Sequence, residues 1–393
     1  MKTAMKNARR LLGATLLALA ATAQAGGVTD TEIVLGSHLD LSGPTAAGMP
    51  MLRNAMQMRI DEANAAGGVH GRKLRLVIED NGSQPQMAVR AVQKLLKSDD
   101  VFALINTFGS GPNAATVKAA TDAGVVVFAP WAASAIIQKV SGNSPLLFTT
   151  VQNYDSTTAT GLSWALKNWG SKKVGVIYQE GPFGDLVRAG VNNALKAANL
   201  TVAAEAAYKV GDIDFSSQVA RMKAADVDLI LAGTVVRETI GVMAEVKKLG
   251  WGNVKVLTAI PGRSSIVARL GKDAVEGLHG IGGWQIHDAS SKDAGAQKFL
   301  AAYKARFNAD ADENAANAYS YTDWFISILQ ATGRNLTADA FAKAAPGVAH
   351  QDFTTYSRQT FSGNHVSPEY AGIDVIKGGR WEAVAPAMTG MVK

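Results

Sequence analysis

The chain of 393 residues has no cysteine. Disulfides and lipid anchoring through a thiol are therefore excluded, and a core of this size must be stable on packing alone. Beyond residue 25 no stretch is both long and free of charge, whereas a membrane span needs about 20 apolar residues. Lysines and arginines do not cluster with aromatics, so no nucleic-acid surface is indicated. The six histidines, His38, His70, His279, His287, His350 and His365, are scattered without metal-ligand spacing. No H-E-x-x-H or G-x-S-x-G pattern occurs, so neither a metal site nor a hydrolase is expected, and no cofactor is implied. Proline- or serine-rich linkers, short-period repeats and low-complexity tracts are missing as well.

What is present begins with Lys2, Lys6, Arg9 and Arg10, an uncharged run from Leu11 to Ala21, and the small-x-small triplet Ala23-Gln24-Ala25. That order predicts a cleavable secretory signal over residues 1–25, cut after Ala25, and a periplasmic mature protein. The formal charge of +6 includes those four cations and no acid from the signal, so +2 remains. The basic balance of the whole chain thus says little about partners. About 368 residues are left, enough for two domains.

From Glu32 onward, short apolar or β-branched runs alternate with longer amphipathic stretches, the pattern of βαβ units with buried parallel strands. Strands are predicted at 32–37, 73–78, 101–105 and 125–128, then at 173–178, 201–207, 227–231, 254–257 and 277–280. Helices are predicted between them, at 47–65, 86–97 and 113–123 and then at 156–168, 183–198, 215–224 and 237–249. After Trp284 the strand signals stop, and three helices are expected over 292–307, 314–331 and 337–344, the last with Thr337 as N-cap. Those three have no sheet of their own to cover, so they should pack back on the first lobe. The expected fold class is α/β: two doubly wound lobes with parallel sheets, joined by a multi-crossover hinge. Lobe 1 would comprise 26–149 plus 285–351, and lobe 2 would comprise 150–284 plus 352–393. Crossings are expected near 149–152, 282–285 and 352–358.

Ligands of open α/β sheets collect at the carboxyl ends of the strands. Three loops there stand out: Leu41-Ser42-Gly43-Pro44-Thr45, Phe108-Gly109-Ser110-Gly111-Pro112-Asn113, and Pro130-Trp131-Ala132-Ala133-Ser134. Ser110, just ahead of a proline suited to a helix first turn, either caps that helix or offers its hydroxyl and neighbouring amides to a carboxylate. Trp131, Phe183 and Trp284 are each either core or cleft residues.

In this order the loops resemble the branched-chain amino acid (Leu/Ile/Val) type of periplasmic solute-binding protein, a class I two-lobed fold. The resemblance rests on Ile33-Val34-Leu35-Gly36 with Leu41-Ser42-Gly43-Pro44, on the run from Asp61 to Val69 with Gly71-Arg72-Lys73-Leu74, and on Glu79-Asp80-Asn81. Asp214-Phe215-Ser216-Ser217 and Ala224-Ala225-Asp226-Val227-Asp228 carry it into the second half. It implies a monomeric component of an ABC-type importer that holds a small-molecule solute and delivers it to an inner-membrane permease, without catalysis. The family's carboxylate-binding serine falls on Ser110, and its threonine falls on Ala133, with Trp131 nearby and Ser134 the nearest hydroxyl. In the second lobe its aromatic falls on Phe183, its tyrosine near Val235, and its ammonium-pairing acid near Ile260. Two positions that form a disulfide in some relatives fall on Ser83 and Gly109, consistently without cysteine.

Losing the acid at Ile260 matters, because a buried ammonium without a partner pays a desolvation penalty of several kcal/mol. Unless Glu180, Asp185 or Glu238 replaces it, the pocket favours an aromatic or aliphatic acid without an amine. Phe108, Gly109, Trp131, Ala132, Phe183 and Trp284 would surround such a ligand. Arg263 either supplies a countercharge or is a solvated surface cation. A branched-chain or other hydrophobic amino acid or amide, and a ligand sensor serving a signalling partner, are the alternatives. A dinucleotide-dependent oxidoreductase is disfavoured: Gly109-Ser110-Gly111-Pro112-Asn113-Ala114 follows the third strand, and no acid lies between Ala123 and Tyr154 to meet a ribose.

Overall fold

Runs such as Phe102-Ala103-Leu104-Ile105 have no polar face to turn to water, so the strands they form must be covered on both sides by the intervening helices. The computed structural model describes residues 26–43, 45–132, 135–150, 153–209, 211–361 and 370–388. Strands β1 (Glu32–Leu39), β2 (Lys73–Asp80), β3 (Ala103–Ile105), β4 (Val126–Phe128) and β5 (Leu147–Phe148) form one sheet in the order β2-β1-β3-β4-β5. Every pairing in it is parallel. Helices α1 (Met49–Ala65), α2 (Pro85–Lys97), α3 (Ser110–Asp122) and α4 (Ala135–Val140) make the crossovers.

The second sheet is built the same way from β6 (Val174–Gln179), β7 (Ala204–Tyr208), β8 (Leu229–Gly233), β9 (Lys255–Thr258) and β10 (His279–Gly282). Its helices are α5 (Tyr154–Trp169), α6 (Pro182–Ala197), α7 (Ser216–Ala224), α8 (Val236–Lys248) and α9 (Ser265–Gly271). Three helices follow: α10 (Ala294–Phe307), α11 (Glu313–Thr332) and α12 (Ala338–Ala344). They pack on the first sheet: Phe299, Trp324, Phe325 and Phe341 share one buried core with Ile33, Leu35 and Phe128. Each such side chain, fully buried, contributes about 1.5–3 kcal/mol. Thr337 caps α12, its hydroxyl accepting from the Ala340 amide at 3.1 Å.

The expectation that strands end before Trp284 is corrected by β11 (Ala371–Lys377) and β12 (Arg380–Met388), which add two antiparallel strands to the second sheet. The sheet then reads β12-β11-β10-β9-β8-β6-β7. Gly378 and Gly379, with φ of 56° and 75°, close the two-residue turn that other residues resist. Ile376 is buried there and Trp381 packs against the second core.

Two of the passages between the sheets are bonded to each other, since the Gln285 amide donates to Thr354 O at 2.9 Å and Gln285 Nε2 to Thr355 O at 2.6 Å. Val151 and Gln152, in the first passage, lie outside the described residues. Phe361 stacks on Trp324 at 4.3 Å within the first core.

Candidate ligand-binding site

The loops after β1 and β2 are tied together by two aspartates to which the sequence reading gave no role. Asp40, fully buried, accepts from the Gly43 amide (2.6 Å), the Thr45 amide (2.8 Å) and hydroxyl (2.6 Å), and Ser83 Oγ (2.7 Å). Burial opposes its ionisation, but these hydrogen bonds prevail and hold the carboxyl below its ordinary range. Asp80 does the same for the Leu41 and Gly82 amides. Position 43 must be glycine, since a Cβ would lie 2.4 Å from Asp40 Oδ1 and 2.6 Å from Gly82 O. Pro44 lies outside the described residues. A carboxylate at the last turn of a parallel strand, followed by Ser, Gly and Thr, is the signal that would have revealed this loop.

The loops after β3 and β4 are bonded side by side. Gly109 N donates to Trp131 O (3.1 Å) and Trp131 N to Thr107 O (2.7 Å), with Phe108 paired to Trp131 as an isolated bridge. Asn113 reaches back from α3 to Thr107 O and Gly109 O. Trp131 is half-buried, its Nε1 donates to Asn106 Oδ1 (3.0 Å), and its ring meets Tyr321 edge-on at 6.2 Å. The indole is thereby fixed at the strand end. Phe108 is half-buried as well, and its carbonyl accepts from Asn81 Nδ2. Ala132 turns the other way into a buried cluster. Ala133 and Ser134 lie outside the described residues.

Ser110 does not cap α3. The N-cap is Gly109, at φ 99°, and Ser110 is the first helical residue, partly exposed, with no hydrogen bond to its hydroxyl among the described residues. The Ser110 and Gly111 amides belong to the first turn, where no intrahelical acceptor exists. Among the described residues, one hydroxyl and two amides thus have no partner at the positive end of a helix of 13 residues, a place suited to an anion.

In the second lobe Phe183 sits in the first turn of α6, half-buried, its ring edge-on to Tyr154 at 4.7 Å. Burial pushes the Tyr154 hydroxyl up to about 12, so it stays protonated. Val235 is the N-cap of α8 and Ile260 the buried first residue of a single 3-10 turn, each just beyond the end of a strand. Cα atoms of α3 and α6 come within 8 Å, bringing the helix that starts at Ser110 near the one that carries Phe183.

Arg263 is not the solvated surface cation that was one of its two expected roles. It is buried, its Nε donates to Asp374 Oδ2 at 2.7 Å, and Nη2 reaches Asp374, Trp284 O (2.9 Å) and Tyr356 Oη (3.2 Å). The glycines of β10 make room: a Cβ at Gly282 would lie 2.3 Å from Arg263 Cζ. Its charge is already matched by Asp374, and Trp284, itself buried, is held through its carbonyl. Of the three acids weighed as replacements at the missing ammonium site, Glu180 and Asp185 are exposed. Glu238 is 4% exposed in the first turn of α8, with Oε2 buried and unpartnered among the described residues.

A two-lobed α/β fold with a free helix N-terminus at the strand ends can be compared with known proteins. The family model described as "Periplasmic binding protein" matches residues 32–375. The chain belongs to the periplasmic binding protein family. It is 28% identical over 224 residues to the Leu/Ile/Val-binding protein BraC3 of Rhizobium johnstonii, covering 57% of this chain and 59% of that one. With Leu/Ile/Val-binding protein homolog 7 of Brucella suis it shares 26% over 339 residues, 83% of this chain and 84% of the other.

Among solved structures, this periplasmic binding protein superposes with a TM-score of 0.80 on an ABC-transporter solute-binding protein from Rhodopseudomonas palustris in complex with 3,4-dihydroxybenzoic acid. That pair is 20% identical, over 92% of this chain and 98% of the other. The branched-chain amino acid binding protein LivJ of Streptococcus pneumoniae, in complex with isoleucine, gives 0.78 at 22% identity, over 91% and 100%. These likenesses establish the class I periplasmic binding fold. Members of the family are solute-binding components of transporters rather than enzymes. Among the described residues no helix is long and apolar enough to cross a membrane.

Proposed function

We propose that this protein is the periplasmic substrate-binding component of an ABC-type importer and that its solute is a small carboxylate with an aromatic or aliphatic body. The observation that carries the reading is the Ser110 hydroxyl beside two first-turn amides, without partners among the described residues, at the place where a parallel sheet presents ligands. Trp131 and Phe108 on one lobe and Phe183 on the other supply apolar surface around it. Neither Val235 nor Ile260 offers a charge to an ammonium. Solute-binding proteins of the same fold have been seen in complex with 3,4-dihydroxybenzoic acid and with benzoate, so the fold accommodates such acids.

The solute would first meet Ser110 on the open first lobe. Closure then brings Phe183 and the Val235 and Ile260 loops over it, excludes water, and strengthens each polar contact. A permease that prefers the closed surface is thereby coupled to loading through a population shift. We assign residues 26–149 and 285–361 to the first lobe, the segment 352–361 being included because of Phe361. Residues 150–284 and the β11–β12 hairpin form the second. The signal would end at Ala25 and the mature chain act as a monomer.

Glu238 favours a second reading, in which a hydrophobic amino acid or amide binds and its nitrogen meets the unpartnered carboxylate. A thermal-shift panel separates the two. Ligand at 100 times its dissociation constant adds about 2.7 kcal/mol of stability. Benzoate or the 2-keto acid of leucine should raise the melting temperature and leucine should not. Stabilisation by leucine alone would transfer the assignment to the second reading.

A further inference from the structure

Away from the ligand loops, one buried polar contact joins the lobes directly. Helix α11 of the first lobe starts at Glu313, 2% exposed. Its carboxylate accepts from Ser264 Oγ at 2.7 Å and from the Ser265 amide at 3.2 and 3.3 Å. Ser264 is the N-cap of α9 in the second lobe, and Ser265 is that helix's first residue. The segment receiving the carboxylate is held firmly on its own side. Ser264 O accepts from Trp381 Nε1 at 2.8 Å, and neighbouring Arg263 is paired to Asp374 on β11.

Separating the lobes at this point would exchange the Glu313 carboxylate's bonds from Ser264 and Ser265 for bonds from water, and hydrogen bonds to a charged group are among the stronger ones a fold makes. The contact therefore biases how the lobes sit. In the arrangement where it is made, α3 and α6 lie near one another. The side of the molecule carrying Ser110 and Phe183 is thus narrowed at the same time.

We propose that Glu313 is a positioning residue whose bonds to Ser264 and Ser265 latch the lobes in the narrowed arrangement, raising solute affinity without touching the solute. The proposal rests on the two-lobed binding reading but not on the identity of the ligand, so it is tested without one. The absence of cysteine allows spin labels to be placed cleanly at Lys118→Cys on α3 and Asn193→Cys on α6, both exposed positions.

In ligand-free protein, pulsed electron resonance should show a short interlobe distance that Glu313→Ala depletes by about tenfold or more, the factor carried by a hydrogen bond to a charged group. Ser264→Ala, which retains the Ser265 amide donor, should deplete it less, and it serves as the readout should Glu313→Ala fail to fold. Distance distributions that match wild type in a folded Glu313→Ala, or in Ser264→Ala where that variant is the readout, overturn the latch. If the distances shift as expected while no acid in the thermal panel binds, the latch stands and the solute assignment falls. Binding with unmoved distances has the opposite meaning.

Discussion

Replacing Ser110 by alanine isolates the group on which the solute assignment depends. Among the described residues its hydroxyl makes no hydrogen bond, the cap of α3 is Gly109, and the side chain is partly exposed. Removing it should therefore change the stability of the empty protein by less than about 0.5 kcal/mol, as for other surface positions without partners. A carboxylate in the site would lose one hydrogen bond to a charged group, about 1.5–3 kcal/mol. At 1.4 kcal/mol per factor of ten, affinity should fall by roughly 10- to 150-fold. The two first-turn amides remain, so binding should be weakened rather than abolished. Calorimetric titration of wild type and Ser110→Ala with the acid that performs best in the thermal panel gives the ratio directly. An unchanged affinity in a variant of unchanged stability would refute the assignment, as would a loss of stability without ligand, which would reveal a structural task for the hydroxyl.

Three further outcomes follow from the same geometry. Arg263→Met leaves Asp374 buried without its partner and should cost about 3–5 kcal/mol in urea unfolding; a loss below 1 kcal/mol would show that the pair is not buried in solution. Gly43→Ala should lower both stability and solute affinity, because its Cβ collides with Asp40 and with the Gly82 backbone, and wild-type values for both would contradict the wiring of that loop. Asp312, the N-cap of α11, has its pKa raised to about 6 by burial and by the charge of Glu313. An acid held more tightly protonated in the folded state contributes stability that is present below the ordinary carboxylate pKa and lost as the pH rises through the folded value. Asp312→Asn keeps the capping oxygen, so relative to wild type it should gain stability between about pH 4 and pH 7; parallel pH profiles of the urea midpoint would contradict this.

Much of the architecture was legible because its causes are local. Phe102 to Ile105 and Val125 to Phe128 announce doubly covered strands by having no polar face, and helices 85–97, 182–197 and 236–248 were placed within a residue or two by their amphipathic spacing. The hairpin of β11 and β12 was missed although Gly378-Gly379 between two β-prone runs is a recognisable turn signal. Helix α9, at seven residues, is too short for its periodicity to stand out. At the site, strand-end logic singled out the loops of Ser110 and Trp131 and the family resemblance singled out Phe183, but the work of Gly109 as cap depends on a backbone angle that composition does not reveal. Arg263 could not be read locally at all, since its partner Asp374 lies 111 residues away and only the fold brings them together. The same holds for Glu313 and Ser264, separated by 49 residues.

A carboxylate guest held between two lobes and released unaltered can be caught by native mass spectrometry of the mature protein loaded from a mixture of leucine, its 2-keto acid and benzoate. The prediction is a one-to-one complex from which the compound released on unfolding is an amine-free acid with its mass unchanged. Recovery of leucine, of a chemically altered product, or of protein with no guest at all would contradict it.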